Sequence, residues 1–452
     1  MLPSKFIFRT LRSSSVVRTQ VNRNVAFKLQ ESLQTRHPHI TAASRNISLS
    51  SNHHIPNTPI TKKANLTGRS EVTEGTVNLK TVEVTFGDKS RSLYPHVWLR
   101  ENCQCPQCFN KDAIARLYLV DDLDLNIQPV DIQLDDGGIR LTWSDGHEGF
   151  YSGEWLHQRA FNDKGRREQR SNFALSQAYW GSDFKVPEMD FKACMEKDEK
   201  LLKWLIKLEK YGVVLITDAP AKVGPVTDFI NRIGFVKPTH YGSDYEIITQ
   251  VVPNNLAYTG SKLGLHTDLP YIDFPPGTTW LHCIRQHEGK GGDNGLSDGF
   301  HAAQLLKERD RFHYDILTTT PIYFQDKGFH NYDFHKIARV PTILLDEEGN
   351  TNRINISSQS RDSIMDLDPE RVMHFYKAIK IFNNILREIS ILVKTKPGDI
   401  LVIDNMRVLH SRTEFDPKTS RGPRHLHNAY IDWSELRSKR RVLQEKFSMP
   451  LD

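Results

Sequence analysis

The sequence predicts a mainly β protein with supporting helices, of the α+β class, divided into two folded domains. Many short runs are rich in Val, Ile, Thr and aromatic residues and are bounded by turn residues, as strands are. Only a few stretches place apolar residues at helical spacing. The 452 residues are enough for two hydrophobic cores. These observations favour a sandwich or barrel supported by helices on one face.

Residues 1–70 are predicted to be a disordered basic leader. They contain eleven Lys and Arg, many Ser and only one acidic residue, Glu31. This composition is typical of a mitochondrial transit peptide, so we expect a location in the mitochondrial matrix. The alternative is a cytoplasmic protein whose basic leader binds acidic partners or nothing.

The composition of the remaining chain argues against two kinds of partner. The net charge is +5 overall, and the leader carries more than all of it, so the folded part is mildly acidic. We therefore expect no nucleic-acid binding. No apolar run approaches the roughly 18 residues that a membrane span requires, and we expect no membrane association.

Residues 72–160 are predicted to form a small, strand-rich domain. VNLKTVEVTF and SLYPHVWLREN alternate apolar and polar residues. VDIQLDDGGIRLTWSDG predicts a hairpin, because β-prone runs flank Asp-Asp-Gly-Gly. Residues 161–186 are polar and charged and are predicted to be a solvated, partly helical connector.

Residues 187–445 are predicted to form a larger domain of helices and short strands. Four stretches have helical spacing: KDEKLLKWLIKLEKYG, VGPVTDFINRIGF, GFHAAQLLKERDRFH and PERVMHFYKAIKIFNNILREI. The first should end at Gly212, since glycine commonly terminates helices. The β-prone runs are VVLITD, TTWLHCI, TILLD, NRINIS, DILVID and HNAYIDW.

A cysteine cluster in the small domain indicates a metal site. Cys103, Cys105 and Cys108 form a C-x-C-x-x-C pattern, and His147 beyond the hairpin is the natural fourth ligand. A closed Cys₃His set is typical of structural Zn(II). The alternative is a group of free or redox-active cysteines. The odd total of five cysteines argues against a disulfide framework.

The stretch AYTGSKLGLHTDLP carries a second candidate metal site. His266 and Asp268 are two residues apart, so in an extended segment their side chains point to the same side. Two histidines and one carboxylate commonly bind iron for oxygen activation, and His410 after KPGDILVID is the best third ligand. A lone histidine is more often a hydrogen-bonded core residue. Arg421 and Arg424 shift the balance, because an arginine fork can hold the far carboxylate of a diacid that chelates the metal.

These motifs in combination resemble the γ-butyrobetaine/trimethyllysine dioxygenase family of 2-oxoglutarate- and Fe(II)-dependent oxygenases. The resemblance covers roughly residues 75–445 and rests on HTD at 266, PPG at 275, HCIRQHEGKGGDN at 282, DGF at 298, KPGD with DNMRVLH, and RHLHNAYIDW at 424. It implies a catalytic domain built on a double-stranded β-helix, or jelly roll. It also implies Fe(II) on His266, Asp268 and His410, with 2-oxoglutarate on Arg424, or on Arg421 as second choice. O₂ is then the other co-substrate, ascorbate the reductant that keeps iron reduced, and a homodimer the expected assembly.

The resemblance further implies a small substrate with a trimethylammonium group. Its aromatic cage corresponds to four tyrosines: Tyr241, Tyr245, Tyr258 and Tyr430. A tryptophan is expected at the position of Tyr245. Asn255 matches a position that binds the substrate carboxylate, and Ser357 stands where an asparagine is expected.

The expected reaction is hydroxylation of γ-butyrobetaine to L-carnitine, with release of succinate and CO₂. The nearest alternative is hydroxylation of N6-trimethyllysine, which suits the transit-like leader better. The remote alternative is a catalytically silent protein that uses its zinc domain for interactions.

Overall fold

The computed structural model describes residues 60–63, 68–249 and 259–447. Most of the predicted leader lies outside the described residues, as do Asn255 and Tyr258 of the predicted substrate site. The described residues belong to one compact unit. Among the described helices, none is both long enough and apolar enough to cross a membrane.

The first part of the described chain is strand-rich. Its elements are β1 (Ile60–Lys63), β2 (Val72–Val77), β3 (Thr81–Phe86), β4 (Arg91–Pro95), α1 (His96–Glu101), β5 (Phe109–Asn110), β6 (Ala115–Arg116), β7 (Pro129–Asp135), β8 (Gly138–Trp143), β9 (Glu148–Tyr151), α2 (Gly153–Gln158) and α3 (Asp163–Phe173). They form a sheet β1-β2-β3-β4, a sheet β7-β8-β9 and a short ribbon β5-β6. Strand β1 falls within the range predicted as leader, so that part of the range pairs with β2 instead.

The predicted hairpin is confirmed, and one neighbouring prediction is wrong. Strands β7 and β8 are joined at Asp136 and Gly137, whose positive φ angles of 43° and 70° are those of a two-residue hairpin turn. HVWLRE, which alternation placed in a strand, is helix α1. His96, Leu99 and Arg100 are buried at helical spacing, and this contact with the core outweighs the local alternation.

The second part contains more strands and the longer helices. Its elements are β10 (Glu188–Asp190), α4 (Phe191–Glu196), α5 (Asp198–Tyr211), β11 (Val213–Thr217), α6 (Pro225–Ile233), β12 (Asp244–Ile248), β13 (Leu263–His266), β14 (Thr278–Arg285), β15 (Asn294–Asp298), α7 (Gly299–Arg309), α8 (Arg311–Thr319), β16 (Pro321–Phe329), β17 (Asp333–Pro341), β18 (Ile343–Leu345), β19 (Thr351–Ile354), α9 (Pro369–Glu388), β20 (Ile391–Val393), β21 (Ile400–Asp404), β22 (Val408–Arg412), β23 (His425–Ile431) and α10 (Trp433–Phe447).

Two sheets form the core of this part. The larger has the order β10-β11-β21-β14-β23-β12, and the smaller has the order β13-β22-β15-β20. Leu281 and Leu401 of the larger sheet pack with Leu296 of the smaller one. Side chains alternate between the two faces of a strand. Trp280 and Val402, which adjoin Leu281 and Leu401 in sequence, therefore lie on the opposite face of the larger sheet and pack with α5, α6 and α10. The larger sheet therefore has one face toward the smaller sheet and one face covered by helices, as expected for an α+β jelly roll.

The helices agree with the sequence patterns except at one break. Helix α5 ends before Gly212, which has φ 73°, as predicted. The stretch predicted as one helix from Gly299 is two helices, because Asp310 leaves the helical region and its side chain accepts from the His313 N–H. Helix α10 and the hairpin β16–β17 have no counterpart in the sequence analysis.

A buried ion pair fixes the segment before β10 to the larger domain. Arg407 and Asp298 are both fully buried and form two hydrogen bonds, of 3.0 and 2.7 Å. Arg407 also donates to the Ala178 and Lys210 carbonyls, and the Trp180 N–H donates to Asp298. The end of the predicted connector is thus packed against the core rather than solvated.

Replacing Arg407 with alanine should destabilise the protein by about 3–5 kcal/mol, because the Asp298 carboxylate would stay buried without its partner. Urea unfolding followed by tryptophan fluorescence measures this free energy. Arg309→Ala is the matched control, since Arg309 pairs with Glu388 at the surface at 2.8 Å and should leave the midpoint unchanged. Equal midpoints for the two variants would contradict the role given to Arg407.

Candidate metal-centred active site

Strand pairing brings the three predicted iron ligands together. His266 ends β13 and His410 lies in β22, and the antiparallel register places them directly opposite each other. The two imidazole ring centres are 4.2 Å apart. Asp268 follows in the next loop, and its Oδ1 lies 3.5 Å from His266 Nε2 and 3.6 Å from His410 Nε2.

The donor set fits one divalent metal ion. Two bonds of about 2.0–2.2 Å that meet at one ion hold their donor atoms at most about 4.4 Å apart. Both distances from Asp268 Oδ1 to the histidine nitrogens lie within that limit, and all three donor atoms lie within 4.8 Å of one another. The His266 Nδ1–H donates to the Gly264 carbonyl at 2.9 Å, which leaves Nε2 free to bind. Burial, together with the charge of His266, lowers the pKa of His410 to about 4, so its imidazole is neutral at neutral pH.

Asp268 is held in place by Asn405 and Thr279, which the sequence analysis did not name, and by Tyr430, which it assigned to the aromatic cage. Asn405 accepts from the Asp268 N–H at 2.7 Å and donates to its carbonyl at 3.0 Å. The hydroxyls of Thr279 and Tyr430 donate to Oδ2 at 2.9 and 3.2 Å, while Oδ1 faces the histidines. Burial opposes ionisation of Asp268. The positive charges that His410 and His266 carry at low pH, together with the hydrogen bonds from His266 and Thr279, outweigh burial and hold the pKa of Asp268 below the usual range.

Two cavities meet at the metal triad, and their linings share Tyr245, Ile247, Leu263, His266 and Asp268. We call the first, of about 150 Å³, the tyrosine cavity, and it is lined by Tyr241, Tyr245, Ile247, Leu263, His266, Thr267, Asp268, Leu269, Pro270, Tyr271, Gln325, Asp326, Ser357, Gln359, Ser360 and Tyr430. We call the second, of about 70 Å³, the arginine cavity, and it is lined by Tyr245, Ile247, Leu263, His266, Asp268, Leu281, Asn294, His410, Ser411, Arg412, Arg424, Leu426 and Asn428.

Of the two arginines predicted to bind 2-oxoglutarate, Arg424 lines the arginine cavity and Arg421 does not. Arg424 lines it, is 5% exposed, and donates from Nε to the Gln286 side chain at 3.2 Å. Burial lowers the pKa of Arg424 to about 10, so it is still a cation at neutral pH. Arg421 is exposed and is absent from the lining.

A second buried arginine, Arg412, lines the same cavity. It follows His410 by two residues on β22, and that spacing was the available sequence signal. Arg412 donates to the Ser261 carbonyl at 2.7 Å. Burial and the charge of Arg424 lower its pKa to about 10. Two buried guanidinium groups make this cavity attractive to an anion.

The tyrosine cavity contains three of the four predicted cage residues. Tyr241 and Tyr245 are stacked with ring centres 4.8 Å apart, and the Tyr245 and Tyr430 hydroxyls are 2.6 Å apart. Ser357 also lines the cavity, and its hydroxyl donates to the Gln359 side-chain oxygen at 3.3 Å. Gln359 and Asp326 were missed, since neither forms a motif with the residues next to it.

The cysteine cluster converges in the small domain. The sulfurs of Cys103, Cys105 and Cys108 lie 3.2, 3.6 and 3.6 Å from His147 Nε2. A zinc tetrahedron with bonds of about 2.3 Å to sulfur and 2.0–2.1 Å to nitrogen has S···N edges of about 3.6 Å. Arg100 donates to the Cys108 sulfur at 3.5 Å, an outer hydrogen bond typical of metal-bound thiolates. The set is compatible with structural zinc.

Two protein-family models match the chain. The model of the taurine catabolism dioxygenase TauD, TfdA family matches residues 171–430. The model of the γ-butyrobetaine hydroxylase-like N-terminal domain matches residues 76–157. The first match contains the metal triad and both cavities, and the second contains the cysteine cluster.

Curated relatives match over most of their own length. γ-Butyrobetaine dioxygenase of Homo sapiens is 38% identical over 368 residues, which are 81% of this chain and 95% of the human protein. The enzyme of that name from Pseudomonas sp. (strain AK-1) is 32% identical, over 80% of this chain and 94% of its own. Mitochondrial trimethyllysine dioxygenase of Rattus norvegicus is 30% identical, over 77% of this chain and 82% of its own.

The fold, the site and these matches define an enzyme of the class of TauD-type dioxygenases. The chain belongs to the γ-butyrobetaine/trimethyllysine dioxygenase family of 2-oxoglutarate- and Fe(II)-dependent oxygenases. The predicted family, fold class and dioxygenase activity are thereby confirmed. The alternative of a catalytically silent protein finds no support in these matches.

Replacing Asn405 with alanine should destabilise the protein by about 1–3 kcal/mol, because Asn405 is 2% exposed and its loss leaves the Asp268 N–H and carbonyl unpaired. Chemical unfolding of metal-free protein measures this cost without any contribution from a bound ion. Asn383→Ala is the control, since Asn383 makes a single side-chain bond, to a carbonyl of its own helix. An Asn405 variant as stable as the control would contradict the anchoring role.

Proposed function

We propose that this protein hydroxylates γ-butyrobetaine to L-carnitine, consuming 2-oxoglutarate and O₂ and releasing succinate and CO₂. The observation that carries the proposal is that His266 and Asp268 of the metal triad line both the arginine cavity and the tyrosine cavity. A diacid co-substrate and a cationic substrate can then approach the same ion from different sides. The relatives named for γ-butyrobetaine are more similar to this chain than the rat enzyme named for trimethyllysine.

His266, Asp268 and His410 would hold Fe(II), and Arg424 would bind the distal carboxylate of 2-oxoglutarate. Bound Fe(II) supplies the activation of O₂ for hydroxylation. The chain supplies position: the Gly264 carbonyl orients His266, and Asn405 and Thr279 orient Asp268. Arg424 is buried and hydrogen-bonded to Gln286, so its guanidinium is already fixed when the diacid arrives. No side chain needs to act as a general base.

The tyrosines would bind the trimethylammonium group through their ring faces, since this group cannot donate a hydrogen bond. Burial raises the pKa of Tyr245 and Tyr430 well above the usual value, so both rings stay neutral and keep their hydroxyl protons. Ser357 and Gln359 are the polar groups suited to the substrate carboxylate, with Gln359 offering the amide that the serine lacks. Asn255 and Tyr258 belong to the proposed site by resemblance.

The experiment that tests this function is succinate release by purified protein with Fe(II), ascorbate, 2-oxoglutarate and O₂. γ-Butyrobetaine and N6-trimethyllysine are compared at equal concentrations, and the product is identified by mass spectrometry. We expect L-carnitine, with kcat/KM favouring γ-butyrobetaine. Preference for trimethyllysine would transfer the proposal to that substrate, and no turnover of either would refute it.

Replacing Arg424 with methionine should raise KM for 2-oxoglutarate about 30-fold or more, because a buried charged hydrogen-bonding group is lost. Arg421→Met is the matched control and should leave KM unchanged, since Arg421 is exposed outside the arginine cavity. Initial rates at saturating γ-butyrobetaine give both values. A larger effect at Arg421 would assign the carboxylate to that residue instead.

We propose that Cys103, Cys105, Cys108 and His147 hold structural zinc. Cys105→Ser should then lower the zinc content below one per chain and lower the melting temperature, while leaving KM for 2-oxoglutarate unchanged in the protein that stays folded. Cys194→Ser is the control, because Cys194 lies outside the cluster. Zinc content by elemental analysis and thermal unfolding are the two measurements. Unchanged zinc content in Cys105→Ser would refute the assignment.

Two further proposals concern the assembly and the location of the protein. Exposed apolar residues lie between Cys108 and Ile127, namely Ile114, Leu117, Leu119, Val120 and Leu125. Such a patch supports a homodimer formed through the small domain, which sedimentation equilibrium can test.

The composition of the leader supports import into the mitochondrial matrix, which fractionation of cells that make the full chain can test.

A further inference from the structure

We propose that Asp326 is the counter-ion of the substrate's quaternary ammonium group, so that this residue selects a cation over an uncharged group of the same shape. Asp326 lies on β16 and lines the tyrosine cavity together with Tyr241, Tyr245 and Tyr430. The inference rests on the proposed function, because it concerns the same substrate. It adds a charge to a cage whose other members are neutral rings.

The charges that line the tyrosine cavity favour a cationic ligand. Its lining includes two carboxylates, Asp268 and Asp326, and no lysine or arginine among the described residues. Asp268 faces the two histidines of the metal triad. Asp326 is thus the remaining carboxylate that a ligand in this cavity can meet.

Among the described residues, Asp326 forms an ion pair with no lysine or arginine. Within the described part of the chain, its ion-pair contact is with His240, whose Nε2 lies 3.7 Å from Oδ2. No described lysine or arginine comes within 4 Å of its carboxylate. Its side chain is 30% exposed, whereas His240 is 1% exposed. A ligand in the cavity can therefore reach the Asp326 carboxylate, while the His240 ring is enclosed by the protein.

A network behind the cage fixes this carboxylate. His240 packs against the Tyr241 ring at 4.1 Å and against Phe334 at 4.4 Å. The Tyr271 hydroxyl lies 3.4 Å from His240 Nε2. Burial would raise the pKa of Asp326, but hydrogen bonds from His240 and Tyr271 lower it below the usual range. The carboxylate is consequently ionised at neutral pH and is connected to the residues that position Tyr241.

The geometry separates two contributions to cation binding. A quaternary ammonium group offers no N–H, so a carboxylate attracts it only through charge. The tyrosine faces attract the same group through their quadrupoles, and they also contact an uncharged tert-butyl group by simple apolar packing. Removing the charge of Asp326 while keeping its shape should therefore weaken binding of the cation and leave binding of the neutral isostere unchanged.

The test compares γ-butyrobetaine with 5,5-dimethylhexanoate, in which carbon replaces the quaternary nitrogen. Binding of each to wild type and to Asp326→Asn is measured by titration calorimetry on protein loaded with Mn(II) and 2-oxoglutarate, and KM and kcat are measured with Fe(II). We expect Asp326→Asn to weaken γ-butyrobetaine binding about 30-fold, equal to ~2 kcal/mol at 1.4 kcal/mol per tenfold. The affinity for 5,5-dimethylhexanoate should change less than about threefold.

Two further variants complete the design. Asp333→Asn removes an exposed carboxylate from the neighbouring strand β17 and should leave both affinities as in wild type. Asp326→Glu keeps the negative charge and should keep the preference for γ-butyrobetaine over the neutral ligand. This variant still tests the inference if Asp326→Asn does not fold.

The outcomes separate this inference from the proposed function. Equal weakening of both ligands in Asp326→Asn, or no weakening of either, would overturn the counter-ion role even if turnover of γ-butyrobetaine is normal. If wild type turns over neither γ-butyrobetaine nor trimethyllysine, the proposed function fails. The calorimetric comparison of charged and neutral ligands then still decides the role of Asp326, since wild type that does not prefer the cation would also overturn it.

Discussion

The antiparallel pairing of β13 with β22 is the constraint on which the rest of the site depends. It places His266 opposite His410, and Asp268 then needs only a short turn to reach both. Leu269, the residue that follows Asp268, has a positive φ of 56° in spite of its side chain. Such a conformation persists only where its surroundings enforce it, and the two hydrogen bonds between Asn405 and Asp268 do so here.

The two cavities that meet at the triad carry different charges. In the arginine cavity, Arg412 and Arg424 are buried together and favour an anion. In the tyrosine cavity, neutral tyrosines and Asp326 favour a cation. For the proposed zwitterionic substrate and dianionic co-substrate, these charges would favour binding of each in a different cavity.

Local sequence patterns predicted what depends on local periodicity. Helix α5 with its Gly212 terminus, the hairpin of β7 and β8, and the pair His266 and Asp268 all follow from spacing within a few residues. The association of His410 with that pair was predicted from the apolar strand before it and the arginines after it, and the family resemblance implied the same ligand. Spacing alone does not reveal which of nineteen histidines will lie opposite His266.

The missed features depend on contacts between distant parts of the chain. Asn405 is 137 residues from Asp268 in sequence, and no local pattern marks it as an anchor. Asp326 meets His240 only because β16 crosses the tyrosine cavity. Helix α1 was taken for a strand, since its burial pattern is set by the core of the small domain. The break at Asp310 is a capping interaction inside an otherwise continuous helical pattern.

The most direct test of the account is a titration of metal-free protein with Mn(II), followed by electron paramagnetic resonance, with and without 2-oxoglutarate. We predict one Mn(II) site in wild type that is lost in Asp268→Ala and retained in Cys105→Ser. 2-Oxoglutarate should tighten Mn(II) binding in wild type but not in Arg424→Met. Unchanged Mn(II) binding in Asp268→Ala would contradict the central claim that one ion joins the two cavities.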